Sequence, residues 1–263
     1  MRASVPADAV FLDGALAVAR EAAAAAAAVI ARYYRRDATV ELKADNTPVT
    51  IADREAEREI LRVLRAAFPA HGYFGEEFGT ERGDAEFLWL IDPIDGTKSF
   101  VRGYPFFSTQ IALMHRGEIV LGVSSASQFC ETAWARRGGG AYLNGVPVQV
   151  AATSSLGEAT LSFGNLKTLA AGPGWGQLAG LVRAANRTRG YGDFYHYHLL
   201  ARGSLDAVVE SDVNILDIAA LVAIVREAGG EFTDLAGAPV GLATTSVLAA
   251  TPALHPILLN ALS

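Results

Sequence analysis

Two aspartates three residues apart, in Asp92-Pro93-Ile94-Asp95-Gly96-Thr97, close the apolar run Phe87-Leu88-Trp89-Leu90-Ile91. A short, uninterrupted apolar run reads as a fully buried strand that stops at Asp92, so the acids emerge at its end. There two carboxylates can converge on one hard cation, and Mg²⁺ takes oxygen ligands in near-octahedral geometry. Pro93 stiffens the turn, and the Ile94 carbonyl is placed to serve as a further ligand. Gly96 and Thr97 open a helix whose first amides could face phosphate oxygens. The simpler alternative is a helix N-cap by Asp92 or Asp95, which uses only one of them.

Other acids carry two readings each. Glu76-Glu77 follow Gly75 in a loop, either as a solvated pair or as a source of a carboxylate for the same metal and its water. Asp53 lies three residues after Thr50, the spacing of a capping box. Asp217 sits among Ile215, Leu216, Ile218 and Ala219, where a carboxylate must cap, pair or bind metal to offset its burial. Glu210 ends the run Ala207-Val208-Val209 and is similarly placed. Lys43 and Asp45 read as surface charges. His196 and His198 would share a face on a strand and could bind zinc; on the helix expected there they diverge, which favours packing or substrate contact. No Ser-His-Asp arrangement, Walker loop or GxGxxG fingerprint stands out.

The elements that must position these residues follow from periodicity and turn chemistry. A long helix is expected from Asp8 to Arg36, then a looser segment from Asp37 to Val49 with a turn at Asp45-Asn46-Thr47-Pro48. A second helix starts near Thr50 and is stopped by Pro69. Apolar runs from Phe106 to Ser127 flank His115-Arg116-Gly117-Glu118 as a hairpin. The later chain alternates: strands near Thr160–Phe163, Asp206–Glu210 and Ser246–Ala250, with helices near Gly176–Asn186, Phe194–Arg202, Asp217–Ala228 and after Pro252. Hairpins first and β/α alternation second predict an α+β lobe over residues 1–150 joined to an α/β lobe over 151–263, one compact unit.

Composition narrows the function classes. The chain has 263 residues, of which 51% are hydrophobic, enough for a sizeable core. A net charge of −6 argues against nucleic acid or an anionic membrane as the main partner. The lone Cys130 excludes an internal disulfide framework and suits a reducing cytoplasm. The Ala-rich run from Ala15 to Ala28 is broken by Arg20 and Glu21, and alanine is the best helix former. It therefore reads as a packed helix of a soluble protein, not a targeting segment.

Four segments in order carry a resemblance to the inositol monophosphatase superfamily over almost the full length. They are Asp45-Asn46-Thr47-Pro48-Val49-Thr50-Ile51-Ala52-Asp53, Gly75-Glu76-Glu77, Asp92-Pro93-Ile94-Asp95-Gly96-Thr97, and Asp217-Ile218-Ala219-Ala220 with Glu227-Ala228-Gly229-Gly230. The resemblance implies a layered αβαβα sandwich, a homodimer, and Mg²⁺, two or three ions, in a cleft between lobes. It implies Glu76, Asp92, Asp95, Asp217 and the Ile94 carbonyl as metal ligands, and Asp53 at a weaker third site. Thr97 with Glu76 would orient the attacking water, and a small phosphorylated metabolite would lose its phosphate without a phosphoenzyme.

Lys98-Ser99-Phe100 and Gly192-Asp193-Phe194-Tyr195-His196-Tyr197 are similar to the histidinol-phosphate phosphatase branch. There Asp193 and Glu210 could pair with the substrate's cationic amine, although Asp193 could instead cap the helix after it. Leu216, where the family usually has an aromatic, and the proline-free Ser124-Ser125-Ala126-Ser127-Gln128 depart from the pattern. They bear on substrate identity, for which an inositol or broader sugar phosphate is the alternative. A silent Mg²⁺- or phosphate-binding regulatory protein is the alternative outside enzymes.

Overall fold

The computed structural model describes residues 8–35, 40–42 and 48–262. Lys43, Asp45, Asn46 and Thr47 lie outside the described residues, as does the side chain of Thr50 and with it the proposed cap of the second helix.

The chain opens with α1 (Ala9–Tyr33), whose first turn is closed by Asp8 accepting from the Phe11 amide at 2.8 Å. Its buried residues, among them Leu12, Ala15, Ala19, Ala22, Ala26 and Val29, recur at three- and four-residue steps and form one face. By length and composition this helix could cross a membrane. Here that face packs into the core against α2 (Ile51–Ala67). The segment expected to be loose holds a small antiparallel pair, β1 (Val40–Leu42) and β2 (Pro48–Thr50).

An eight-stranded sheet follows: β3 (Gly72–Gly75), β4 (Gly79–Glu81), β5 (Phe87–Asp95), β6 (Ser108–His115), β7 (Glu118–Ala126), β8 (Glu131–Arg136), β9 (Ala141–Leu143) and β10 (Val146–Val148). Its order is β10-β9-β8-β7-β6-β5-β3-β4, antiparallel except where β3 runs parallel to β5. A short helix, α3 (Thr97–Val101), leaves the end of β5. The second sheet has five strands, β11 (Thr160–Gly164), β12 (Arg187–Arg189), β13 (Ala207–Ser211), β14 (Glu231–Thr233) and β15 (Ser246–Ala250), ordered β12-β11-β13-β15-β14. Helices α4 (Leu166–Ala171), α5 (Trp175–Ala184), α6 (Asp193–Ala201), α7 (Ile215–Glu227) and α8 (His255–Leu262) complete it.

Three apolar clusters show the layering. Trp89, Ile91, Ile111 and Val123 pack one face of the large sheet on α1 and α2. Leu88, Leu90, Ala112 and Met114 on its other face meet α6, α7 and Val208 and Val247 of the second sheet. Leu161, Val209 and Leu248 turn outward to Leu169, Leu178 and Leu258 on α4, α5 and α8. The result is the expected αβαβα sandwich. Helix α7 is apolar nearly all round because both its sides are covered by sheet. Gly122 lets it come close: a β-carbon there would collide with the backbone of Ala220.

Candidate metal and phosphate site

Side chains alternate along a strand. Since Leu88 and Leu90 face the α6–α7 layer, so does Asp92. Asp92 pairs with Gln110 and Asp95 with Ser108, so three steps on β5 oppose two on β6. The extra residue is a bulge, and it returns Asp95 to the face of Asp92. The strand therefore does not stop at Asp92, as its apolar pattern suggested, but reaches Asp95. Neither acid caps α3, whose N-cap is Gly96 in a left-handed conformation.

Helix α7 delivers the third acid. Asn214 is its N-cap, and Asp217 closes the reciprocal box by accepting from the Asn214 amide at 2.8 Å. Cap and cluster member are thus the same residue. One carboxylate oxygen from each of Asp92, Asp95 and Asp217 lies within 4.8 Å of the others.

Burial raises the Asp92 carboxyl well above the usual carboxylate range, and the charges of Glu76, Asp95 and Asp217 raise it further. Asp95 is pushed up by burial and then by Asp193 and Asp217. Asp217 rises to about 7, through burial and the charges of Glu76 and Glu210, against the lowering effect of the Asn214 amide. Such a group repels itself until a cation neutralises it. Its all-oxygen donor set, without His or Cys, fits a hard divalent ion. The Ile94 carbonyl lies in the same turn; the Ile94 amide donates to Asp92 Oδ1 at 2.9 Å.

Glu76 is brought alongside by β3. Its amide donates to the Ile91 carbonyl at 3.2 Å, and its carboxylate contacts Asp92 through a hydrogen bond. The turn is held by a residue that sequence reasoning missed. Glu57, fully buried on α2, accepts the amides of Glu77 at 2.8 Å and Phe78 at 3.2 Å. Burial raises its carboxyl to about 7. Asp53 is 1% exposed one turn earlier on α2. The Thr97 hydroxyl lies 3.3 Å from Asp53 Oδ1 and 3.0 Å from the Ile94 carbonyl.

The second sheet adds a different pair of acids. Glu210 shares the inward face of β13 with Val208, and its Oε2 accepts from the Tyr197 hydroxyl at 2.7 Å and lies 3.1 Å from His196 Nε2. Asp193 opens α6 with φ of 45°, but Gly192 is the N-cap and no side chain caps this helix. The capping alternative for Asp193 is therefore not realised. Burial and the nearby Glu210 charge push its carboxyl up to about 6. Asp193, Tyr197 and Glu210 line one narrow cleft with Asp95 and Asp217. The two histidines do diverge: His196 meets Glu210, whereas His198 meets Ser124 and Glu131.

Residues 12–263 match the profile of the Inositol monophosphatase family. A histidinol-phosphatase of Mycobacterium tuberculosis is 41% identical over 212 residues, 78% of this chain and 81% of that protein. One from Streptomyces coelicolor is 39% identical over 247 residues, 88% of this chain and 90% of that protein. The solved structure of an inositol monophosphatase from Anabaena superimposes with a TM-score of 0.84 at 30% identity, covering 96% of each chain.

Proposed function

Since the chain belongs to the inositol monophosphatase family and is a phosphoric monoester hydrolase, we propose that it is a Mg²⁺-dependent histidinol-phosphate phosphatase. The observation that carries the substrate is the pair of half-buried Asp193 and buried Glu210 in the cleft that also holds Asp95 and Asp217. Two carboxylates brought together in one cleft repel each other even with Tyr197 and His196 on Glu210, and the cationic amine of histidinol phosphate relieves that repulsion. A neutral polyol does not. The Mycobacterium tuberculosis and Streptomyces coelicolor relatives are themselves histidinol-phosphatases.

In this reading Asp92, Asp95 and Asp217, with Glu76 and the Ile94 carbonyl, hold two Mg²⁺ ions, and Asp53 contributes to a weaker third site. The chemistry a Mg²⁺ ion held there would supply is neutralisation of the phosphate charge and a lowered pKa for the attacking water. The amides of Gly96 and Thr97, in the first turn of α3 where a helix cannot use them, hold phosphate oxygens. Glu76 and Thr97 orient the water. As its oxygen bonds to phosphorus and the ester P–O bond breaks, the water proton passes to Thr97 Oγ1, whose own proton goes to Asp53 Oδ1, and the departing alkoxide takes a proton from solvent water and leaves as the alcohol. Tyr197 and His196 keep Glu210 aimed at the amine. We also take the protein to be a soluble cytoplasmic homodimer, which size-exclusion chromatography with light scattering checks for the assembly.

The experiment is a comparison of Asp193→Asn with the natural protein on histidinol phosphate and on p-nitrophenyl phosphate. A charge-assisted contact is worth about 1.5–3 kcal/mol, so the selectivity ratio in kcat/KM should fall by about tenfold or more. An unchanged ratio rejects the amine contact.

A further inference from the structure

We infer that Gln110 is a positioning residue for Asp95, acting through a buried hydrogen-bond chain that runs from the acid cluster to helix α6. This rests on the reading that Asp95 holds a cation. The chain is continuous. Ser108 Oγ lies 3.5 Å from Asp95 Oδ2, and Gln110 Nε2 lies 2.7 Å from Ser108 Oγ and 3.1 Å from Ser124 Oγ. Ser124 Oγ lies 2.9 Å from His198 Nε2, and His198 Nδ1 lies 3.3 Å from Glu131 Oε2. Arg202 closes it, donating to Glu131 Oε1 at 2.9 Å. Ser108, Gln110, Ser124 and His198 are all at most 1% exposed.

The sheet register builds this chain. Gln110 stands opposite both Asp92 on β5 and Ser124 on β7, and Ser108 stands opposite Asp95. Opposed residues of a ladder share a face, so all five point toward α6 and α7.

The direction of the protons follows from donor counting. The Gln110 amide nitrogen has two hydrogens and two hydroxyl partners, while its Oε1 has no hydrogen-bond partner among the described residues. The flipped amide would bury two unpaired donors, which is rarer than one unpaired carbonyl. Gln110 therefore donates to both serines. Ser108, having accepted from Gln110, has its own proton left for Asp95 Oδ2. Ser124 gives its proton to His198 Nε2, so the neutral ring carries its hydrogen on Nδ1 and donates it to Glu131. Burial, the largest influence on His198, lowers its pKa and favours this neutral form.

One oxygen of Asp95 is thereby held by a hydroxyl donor, leaving the other for a cation. The Ser108–Asp95 separation is the longest link, and the opposed backbone positions of the two residues limit how far it can open. The far end of the chain is α6, which also carries Asp193, His196 and Tyr197. The helix that shapes the cleft around Glu210 is thus tied to an acid of the metal cluster. Groups that orient a metal ligand typically matter about tenfold to a hundredfold in metal affinity or activity.

The test uses the full-length, metal-free protein titrated with MgCl₂ by calorimetry, with thermal unfolding measured alongside. Gln110→Met keeps the bulk and removes both donors. The expected result is an Mg²⁺ Kd weakened about tenfold or more, at temperatures where the variant is still folded. A Kd equal to that of the natural protein, with only a lower Tm, makes the chain structural glue and overturns the inference. If Gln110→Met does not fold, Ser108→Ala deletes the last link and carries the same two outcomes. Asp95→Asn separates the premise: Mg²⁺ binding unchanged in that variant overturns the site reading, and this inference with it.

Discussion

The carboxylate of Glu57 lies against the backbone of Gly75, where any β-carbon would collide with it. That contact lets a buried acid on α2 reach past β3 and hold the amides that follow Glu76. Gly75→Ala should push the two apart and displace Glu76 from Asp92. Overpacking of this kind costs about 1–3 kcal/mol. Chemical denaturation should show that loss, and hydrolysis of p-nitrophenyl phosphate at saturating Mg²⁺ should fall by about tenfold or more. Natural stability and turnover together would show that the contact positions nothing.

Asp217→Asn tests the cluster from helix α7. The carboxylates of Asp92, Asp95 and Asp217 repel one another in the metal-free protein. A ligand that binds only the folded state at about 100 times its Kd adds about 2.7 kcal/mol of stability. Mg²⁺ should therefore raise the Tm of the natural protein by several degrees and that of Asp217→Asn much less. An equal rise in both would place the cation elsewhere.

Gly122→Val should disable the site without touching an acid. The added side chain meets the backbone of Ala220 and lifts α7 from the sheet, taking Asp217 away from Asp92. Both Tm and Mg²⁺ affinity should drop. A variant that folds and binds Mg²⁺ as the natural protein does would show that the α7 contact tolerates the shift.

Much of the arrangement was legible in sequence, and what was hidden had physical reasons. Asp92, Asp95 and Asp217 stood out because acids interrupt apolar runs at element ends. The bulge that aligns Asp92 with Asp95 leaves no trace in hydrophobic pattern, so the strand seemed to stop early. Glu57 sits in the charge-rich stretch Asp53-Arg54-Glu55-Ala56-Glu57-Arg58-Glu59 and looks like any solvated side chain. One signal was available: Glu57 falls four residues after Asp53 and four before Leu61, on the buried stripe of α2. Gln110 and Ser124 could not be linked to Asp95 without the register of β5, β6 and β7. His196 and His198 were correctly separated by helical spacing alone.

His71 carries a pH dependence unconnected with the metal. Its Nδ1 accepts from Trp89 Nε1 at 3.1 Å, and its ring stacks on Phe68 and Phe87 at 4.8 and 4.9 Å. Burial, helped by Arg82, lowers its pKa from 6.5 to about 4. The folded state therefore prefers the neutral ring. Its contribution is fully present above 6.5 and is lost as pH falls toward about 4. His71→Phe should flatten the decline of Tm over that window; the same slope in both proteins would remove His71 as its cause.

The central claim is most directly tested by steady-state kinetics of the natural protein on histidinol phosphate and inositol 1-phosphate, each with Mg²⁺ and with chelator. Two charge-assisted contacts to the amine, from Asp193 and Glu210, predict a kcat/KM for histidinol phosphate higher by about tenfold or more, abolished for both substrates by chelation. Equal or inverted preference, or turnover that survives removal of the metal, would contradict it.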